Sequence, residues 1–354
     1  MSNSTIQLSG YFDNNFGDDY MMKIIVNSLN EFDFVIDEKE NVNPVIIQEK
    51  NVRIEEITKK ACYKKLLVTG CGFMINSKAA LFTELVFFLK QKHVADYCLG
   101  CNMEPLDNCV KKWLIKNKLN KFRLIVCRDK KSYSWLSKNV RKPKIEYLPD
   151  ILFGMPDEWL PERSVQEILG ISLMHRSGDE KDCRYYKEMA KAADLWIENG
   201  GRGVILMAFN SGSENDVYSC ECVKKLMKHP HMAEIAVHKN GNEIFEAYSR
   251  CSKIIGARFH SAVLALKMGV PFFPVVYREK MKNLIEDVEY PVHGCGIDEI
   301  DVAALRTFVT DDQVPYHVKE DIYIRANKYA QLFRQSCERT WNDENNGKGS
   351  NNSI

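Results

Sequence analysis

The stretch IIGARFHSAVLAL, residues 254–266, decides the architecture. Its opening is apolar and β-branched, Gly256 interrupts it, and small and apolar residues follow His260 without a Gly or Pro. This order reads as a buried strand, a turn and a helix. Arg258 and His260 then stand at the strand-to-helix turn, where the first N–H groups of the helix also point. Such a turn suits a compact anion and carries a titratable group beside it. The segment PFFPVVYREK, residues 271–280, reads as the next strand and ends in Tyr277 and Lys280. Two successive strand ends thus bring Arg258, His260 and Lys280 to one sheet edge, where open α/β sheets bind ligands. Singly, Arg258 is equally well read as a surface Arg at a helix start and His260 as a satisfied half-buried His. The three in order favour an anion-binding site.

Working outward, the same alternation recurs. TIQLSG, FDFVID, KKLLVTG, DYCLG, KFRLIVCR and KIEYLPD read as strands in the first half, with helical periodicity over 18–29, 79–92 and 130–138. PDILFGMPDEWLP, residues 149–161, breaks the pattern with three Pro and a Gly. A second series follows: EILGISLM, a helix over 184–199, GVILMAFN, a helix over 216–228, EIAVHK and a helix over 242–251. The expectation is an α/β chain of two Rossmann-like β/α domains, 1–155 and 156–340, facing a cleft. A last helix over about 318–340 is expected to pack back on the first domain. The polar segment 341–354, NDENNGKGSNNSI with its preceding Trp, is expected to be disordered.

Composition bounds the rest. The 354 residues suit two cores of about 150 residues each. Net charge is +1, so no global field recruits nucleic acid or an anionic membrane. No basic segment followed by an apolar run opens the chain, and no apolar run reaches about 18 residues, so neither a signal peptide nor a spanning helix is expected. The twelve cysteines include one C-x-x-C, Cys98 to Cys101, and no zinc-type spacing. They read as reduced core residues of a cytoplasmic protein, with no metal.

The other strand ends carry polar turns. GYFDNNFGDD, residues 10–19, joins the first strand to its helix; Asp18 and Asp19 read either as caps or as cleft carboxylates. It is not a G-x-G-x-x-G fingerprint. Gly70-Cys71-Gly72 permits close approach of a ligand or simply turns. Arg128 stands at another strand-to-helix turn, as an anion donor or as a salt-bridge partner of Asp129 or Asp150. His175 and Arg176 form a further polar strand end.

Taken in order, GYFDNNFGDD, VTGCGFMINS, RDKKSYSWL, LPD, IIGARFHSAVLALKMGVP and PVVYREK resemble the polysaccharide pyruvyl transferase family, over about residues 9–287. The specific part is Arg-x-His followed by Pro and Tyr-x-x-Lys. The chain departs from the family pattern at Phe259 for Leu, at Asp19 for Glu and at Cys71 inside the Gly turn. The resemblance implies a GT-B-like architecture and phosphoenolpyruvate as co-substrate, with no cofactor. It implies donor binding by Arg128, Arg258, His260 and Lys280, with the first domain as the acceptor side and the second as the phosphoenolpyruvate side. His260 would protonate the methylene carbon, and Asp18, or less readily Asp129, would take a hydroxyl proton. Asn15, Gly17, Asp18, Gly72 and Tyr277 are the expected acceptor contacts. The implied product is a cyclic ketal on a sugar of a capsular or exopolysaccharide, free or lipid-linked, the latter drawing the enzyme to the inner face of the membrane. The alternatives are a GT-B glycosyltransferase using a nucleotide sugar and a non-catalytic glycan-assembly protein. The acceptor sugar and the oligomeric state stay open.

Overall fold

A computed structural model describes residues 5–58, 63–70, 72–75, 77–90, 94–175, 179–239 and 241–349. The first domain has strands β1 (Thr5–Ser9), β2 (Asp33–Asp37), β3 (Val52–Glu55), β4 (Lys64–Val68), β5 (Gly72–Phe73), β6 (Tyr97–Met103), β7 (Leu124–Cys127) and β8 (Lys144–Tyr147). Its helices are α1 (Phe16–Ser28), α2 (Pro44–Ile47), α3 (Lys78–Leu89), α4 (Cys109–Leu119) and α5 (Lys130–Asn139). The second has β9 (Ile168–Leu173), β10 (Gly203–Ala208), β11 (Ala233–Val237), β12 (Cys251–Gly256), β13 (Phe272–Val276) and β14 (Cys295–Gly296). Its helices are α6 (Asp179–Glu198), α7 (Asp216–Leu226), α8 (Glu243–Arg250), α9 (Phe259–Lys267), α10 (Glu279–Asp287) and α11 (Val302–Thr310), and α12 (Glu320–Ala326) and α13 (Tyr329–Gly349) close the chain.

Both sheets are parallel. Their orders are β3-β2-β1-β4-β6-β7-β8, with β5 against β6, and β11-β10-β9-β12-β13-β14. Helices cover both faces, so the central strands are uniformly apolar rather than alternating; β9 and β10 are buried at every residue. The order reverses between β1 and β4 in one sheet and between β9 and β12 in the other. At such switch points neighbouring crossovers leave in opposite directions and open a crevice beyond the carboxyl ends of the strands. The residues beyond β1, β4, β9 and β12 are Gly10–Asn15, Thr69–Gly70, Met174–His175 and Ala257–Arg258. The two crevices face each other.

The halves are tied across that gap by backbone. Phe16 N donates to Phe209 O at 2.8 Å, and Asn15 pairs with Asn210 as an isolated antiparallel bridge. Phe16 is fully buried against Phe209 and Phe245, with ring centroids 5.1 and 5.2 Å away. Below it, Asp19 Oδ2 stands 2.9 Å from His238 Nε2, both residues fully enclosed. These contacts set α1 against the second domain.

The C-terminal helix packs on the first domain as expected. Phe333 meets Phe32 and Tyr97 at 5.5 and 5.0 Å between centroids, and Tyr329 Oη donates to Pro149 O at 2.9 Å. It is not one helix over 318–340, however. The chain breaks after Ala326, because α12 must seat on the linking turn at Ile151–Gly154, whose Gly154 approaches Ala326 O too closely to tolerate a side chain without adjustment. The backbone of α13 runs on to Gly349, into the segment expected to be disordered; residues 350–354 lie outside the described residues. So do residues 91–93, Cys71 and Arg176.

Candidate active site

The facing crevices enclose a cleft of about 460 Å³ lined from both domains. Its floor is built where the amino ends of α1 and α9 meet. Asn15 caps α1, its Oδ1 accepting from Gly17 N at 3.1 Å. Gly17 then lies flat against the His260 imidazole, and a Cβ there would occupy the same space as Nδ1. A residue with any side chain at 17 would push His260 out of the cleft. Two helix amino ends pointing into one cavity favour a bound anion.

Asp18 follows in the first turn of α1 and accepts from Gly70 N at 2.9 Å. Burial pushes its carboxyl up to about 6, with the Gly70 N–H, Lys280 and Arg128 opposing. It therefore exchanges a proton in the range useful to a general acid or base.

Arg128 is enclosed at the bottom of the cleft. Nη1 donates to Asp150 Oδ2 at 2.9 Å, and Nη2 donates to Gly70 O and, at 3.2 Å, to Asn102 Oδ1. The ring of Phe259 lies 3.9 Å from its Cζ, a cation–π contact that fixes the plane of the guanidinium. Nη1 is also 3.3 Å from His260 Nε2. Arginine can only donate, so Nε2 is the acceptor and the imidazole proton sits on Nδ1. An imidazolium would set two donors against each other. Burial, then Arg128, Lys280 and Arg258, hold the His260 pKa well below its usual 6.5. In the free site His260 is neutral.

Arg258 is placed differently from the expectation of a donor reaching freely for substrate. Nε and Nη2 form a two-point contact with Asp216, at 2.8 Å for Nε, and Nη1 pairs with Glu214. Asp216 is fully buried and also accepts from Asn210 N at 2.9 Å and His175 N at 3.1 Å. The guanidinium thus locks the turn after β9, the loop after β10 and the start of α9 together, and the Asp216 pair holds its pKa above the usual value. It reaches the cleft wall with Glu214 beside it.

Lys280 is a cation left for a ligand. It is the second residue of α10 rather than a strand end, it lines the cleft, and among the described residues it has no carboxylate partner. Its Nζ lies 5.6 Å from the Phe259 ring and 5.5 Å from the Tyr277 ring. Phe259, the departure from the family pattern, thus contacts two cations at once. Arg278 joins them at the rim.

Of the expected acceptor contacts, Asn15, Asp18, Gly72 and Tyr277 line the cleft and Gly17 backs His260. Asp129 does not reach it. Its carboxylate caps α5, accepting from Ser132 N at 2.7 Å and Ser132 Oγ at 2.6 Å, and takes Asn283 Nδ2 at 3.2 Å, so it is no candidate base. His175 lines the cleft; Arg128 takes Asp150, not Asp129, as its partner. Sequence reasoning missed Glu214, Asp216, Asn102 and Arg278. Only Asp216, an acidic residue opening a helix after a strand, carried a local signal. Among the described residues no three His, Cys, Asp or Glu side chains come together to hold a metal ion, the nine cysteines described are free, and no helix is long and apolar enough to cross a membrane.

Two facing parallel-sheet domains with a cation-lined cleft at opposed switch points define a GT-B-like scaffold. UDP-GlcNAc 2-epimerase from Methanocaldococcus jannaschii has a similar fold, with a TM-score of 0.56 at 12% identity over 94% of this chain and 99% of that one. The S. aureus MnaA–UDP structure is similar at a TM-score of 0.55 and 11% identity, over 94% and 97%. At this identity the likeness concerns the fold. No curated protein matches the sequence. The family model for polysaccharide pyruvyl transferase matches residues 15–279, from the cap of α1 to the residue before Lys280. The chain belongs to the polysaccharide pyruvyl transferase family.

Proposed function

We propose that the protein transfers the pyruvate unit of phosphoenolpyruvate onto two hydroxyls of a glycan sugar as a cyclic ketal, in the biosynthesis of a cell-surface or capsular polysaccharide. The observation that carries this reading is the convergence of Lys280 and the amino ends of α1 and α9 on a cavity that also holds Asp18 and His260, with Arg128 directly behind His260. Phosphoenolpyruvate is a small molecule with a phosphate and a carboxylate, and such a set of donors suits it.

The chemistry follows from charge. Phosphate and carboxylate bound near Lys280 and Arg128 offset the cations that keep His260 neutral, and the imidazole gains a proton. His260 then delivers that proton to the methylene carbon, leaving C2 oxocarbenium-like. A sugar hydroxyl adds to C2 and gives its proton to Asp18. The C2–O bond to phosphate breaks, phosphate leaves, and a second hydroxyl closes the ring on C2. Of the two hydroxyl protons released, one replaces that spent on the methylene and the other leaves with phosphate. Nothing is oxidised or reduced. Arg258 serves by holding the α9 turn through Asp216.

Calorimetry with phosphoenolpyruvate and with nucleotide sugars tests the donor. Incubation with glycan acceptors, read by phosphate release and product mass, tests the transfer. Binding of a nucleotide sugar in place of phosphoenolpyruvate would replace this reading with a glycosyltransferase.

A further inference from the structure

Helix α3, KAALFTELVFFL, is one of the most apolar in the chain, yet none of its residues is buried. Lys78, Phe82, Leu85 and Leu89 fall at i, i+4, i+7 and i+11, one stripe along the helix. Phe82 is 68% exposed and Leu89 69%. The opposite side of α3 leans on α4, where Phe88 meets Trp113 at 4.4 Å between centroids and Lys118 pairs with Glu84 at 2.6 Å. Val110 and Trp113 of α4 are exposed as well. Together these two helices hold five of the fourteen exposed large apolar residues among those described; the other nine are spread over the rest of the chain. An exposed apolar stripe of this kind marks an interaction surface.

The charge around it selects the partner. Residues 109–123 carry six basic and no acidic residues, in a chain whose net charge is +1. Lys111, Lys118 and Arg123 have acidic partners in Asp107, Glu84 and Asp96. Lys78, Lys90, Lys112 and Lys116 have none among the described residues, and Lys78 and Lys90 stand at the two ends of the α3 stripe. An apolar stripe bordered by lysines is the pattern of an interfacial helix on an anionic bilayer. A second copy of the chain would instead set like charges face to face.

We infer that α3 and the outer face of α4 dock on an anionic lipid surface. The placement is apt. Met74, which lines the cleft, stands three residues before Ser77, the cap of α3. The docked face therefore begins close in the chain to the first domain's side of the cleft. That this presents a lipid-linked acceptor to Asp18 rests on the pyruvyl-transfer reading; the docking itself does not.

Flotation of the full chain with vesicles of phosphatidylcholine and phosphatidylglycerol tests it. Binding is expected at low salt, weakening as salt rises, and little with phosphatidylcholine alone. The variant Phe82→Ser/Leu89→Ser, altered only at exposed positions, is expected to lose about tenfold or more in vesicle affinity. Lys90→Glu/Lys112→Glu is expected to lose binding while keeping the apolar stripe. Phosphoenolpyruvate binding by calorimetry is expected to be unchanged in both, so a failure of the donor assignment shows separately. Absence of binding to phosphatidylglycerol vesicles, equal binding by Phe82→Ser/Leu89→Ser, or a dimer in light scattering that this variant abolishes would overturn the inference.

Discussion

His260 Nε2 accepts from Arg128 Nη1 across the domain cleft at 3.3 Å, and the same guanidinium nitrogen donates to Asp150 at 2.9 Å. One arginine therefore sets the tautomer of the candidate acid, suppresses its charge and depends on a buried carboxylate for its own. Removing the guanidinium leaves Asp150 enclosed without its counter-charge; among the described residues it then keeps the Leu152 N–H at 3.0 Å, with the neutral His260 Nε2 3.8 Å away. Arg128→Ala is expected to cost about 3–5 kcal/mol of stability as well as activity. Adding Asp150→Asn should recover much of the stability and none of the turnover. Chemical denaturation of the single and double variants, beside their rates, checks both halves.

Gly17→Ala is a sharper probe of position. The added methyl coincides with the His260 ring, while the backbone at 17 is ordinary helix, which alanine favours. The imidazole must rotate or the helix ends must part. Turnover should fall by about 10²-fold or more with the helix content of the protein intact. A Gly17→Ala variant with normal kcat would show that His260 is not held in its working position by this contact.

The cleft was legible because its parts are local. Gly256, Arg258 and His260 lie within five residues, and a strand followed at once by a helix puts them at a sheet edge wherever the rest of the chain goes. The two domains were legible for the same reason, as repeated apolar runs and helical periods. What was not legible is which charge meets which. Asp216 and Glu214 precede Arg258 by 42 and 44 residues, Asp150 follows Arg128 by 22, and His238 follows Asp19 by 219. These pairs depend on the order of strands and the docking of domains, to which spacing along the chain gives no access. Asp129 was misread because a cap and a cleft carboxylate look alike at a strand-to-helix turn. For α3 the periodicity showed a helix but not its exposure, since apolar composition ordinarily accompanies burial.

The cations divide by their partners. Lys280 has no carboxylate among the described residues, whereas Arg258 is tied to Asp216 and Glu214. Lys280→Ala should keep the melting temperature and weaken phosphoenolpyruvate binding by about tenfold or more, with the loss shrinking at high salt. Arg258→Ala should unseat buried Asp216 and lower the melting temperature, so its lost activity would be partly structural. Thermal unfolding and donor calorimetry on the two variants distinguish these outcomes. An Arg258→Ala protein as stable as the parent would return Arg258 to a direct role with the donor.

Asp18 is ionised at a cost. Its carboxyl moves from an ordinary 3.8 to about 6 in the folded protein. Because the folded pKa is the higher one, its favourable contribution is complete below 3.8 and is lost as pH rises through about 6, worth about 3 kcal/mol in all. Asp18→Asn keeps an acceptor for Gly70 N and removes the charge. It should be more stable than the parent at pH about 8, about equal at pH about 4, and nearly inactive if Asp18 takes the hydroxyl proton. Denaturation at the two pH values reads the first part and turnover the second. Parallel pH–stability curves for the two proteins would rule out the raised carboxyl.

The last expectation concerns the proton itself. His260 is neutral in the free site because burial, Arg128, Lys280 and Arg258 all hold its pKa down. If it is the acid, it must gain a proton when the donor's anionic groups offset those cations. Phosphoenolpyruvate binding near pH 7 should therefore take up as much as about one proton more in the parent than in His260→Gln, seen as a dependence of binding enthalpy on the buffer's ionisation enthalpy. In the donor complex kcat should fall on the alkaline side of the raised imidazole pKa, because only the protonated form can serve the methylene carbon. His260→Gln retains a hydrogen-bonding side chain but has no such acid, so it should still bind the donor, lose most turnover and lose that alkaline limb. Equal proton uptake by the two proteins, with an unchanged pH profile, would take the acid role from His260. It would leave Asp18, already near half protonation at pH about 6, as the group that serves the methylene.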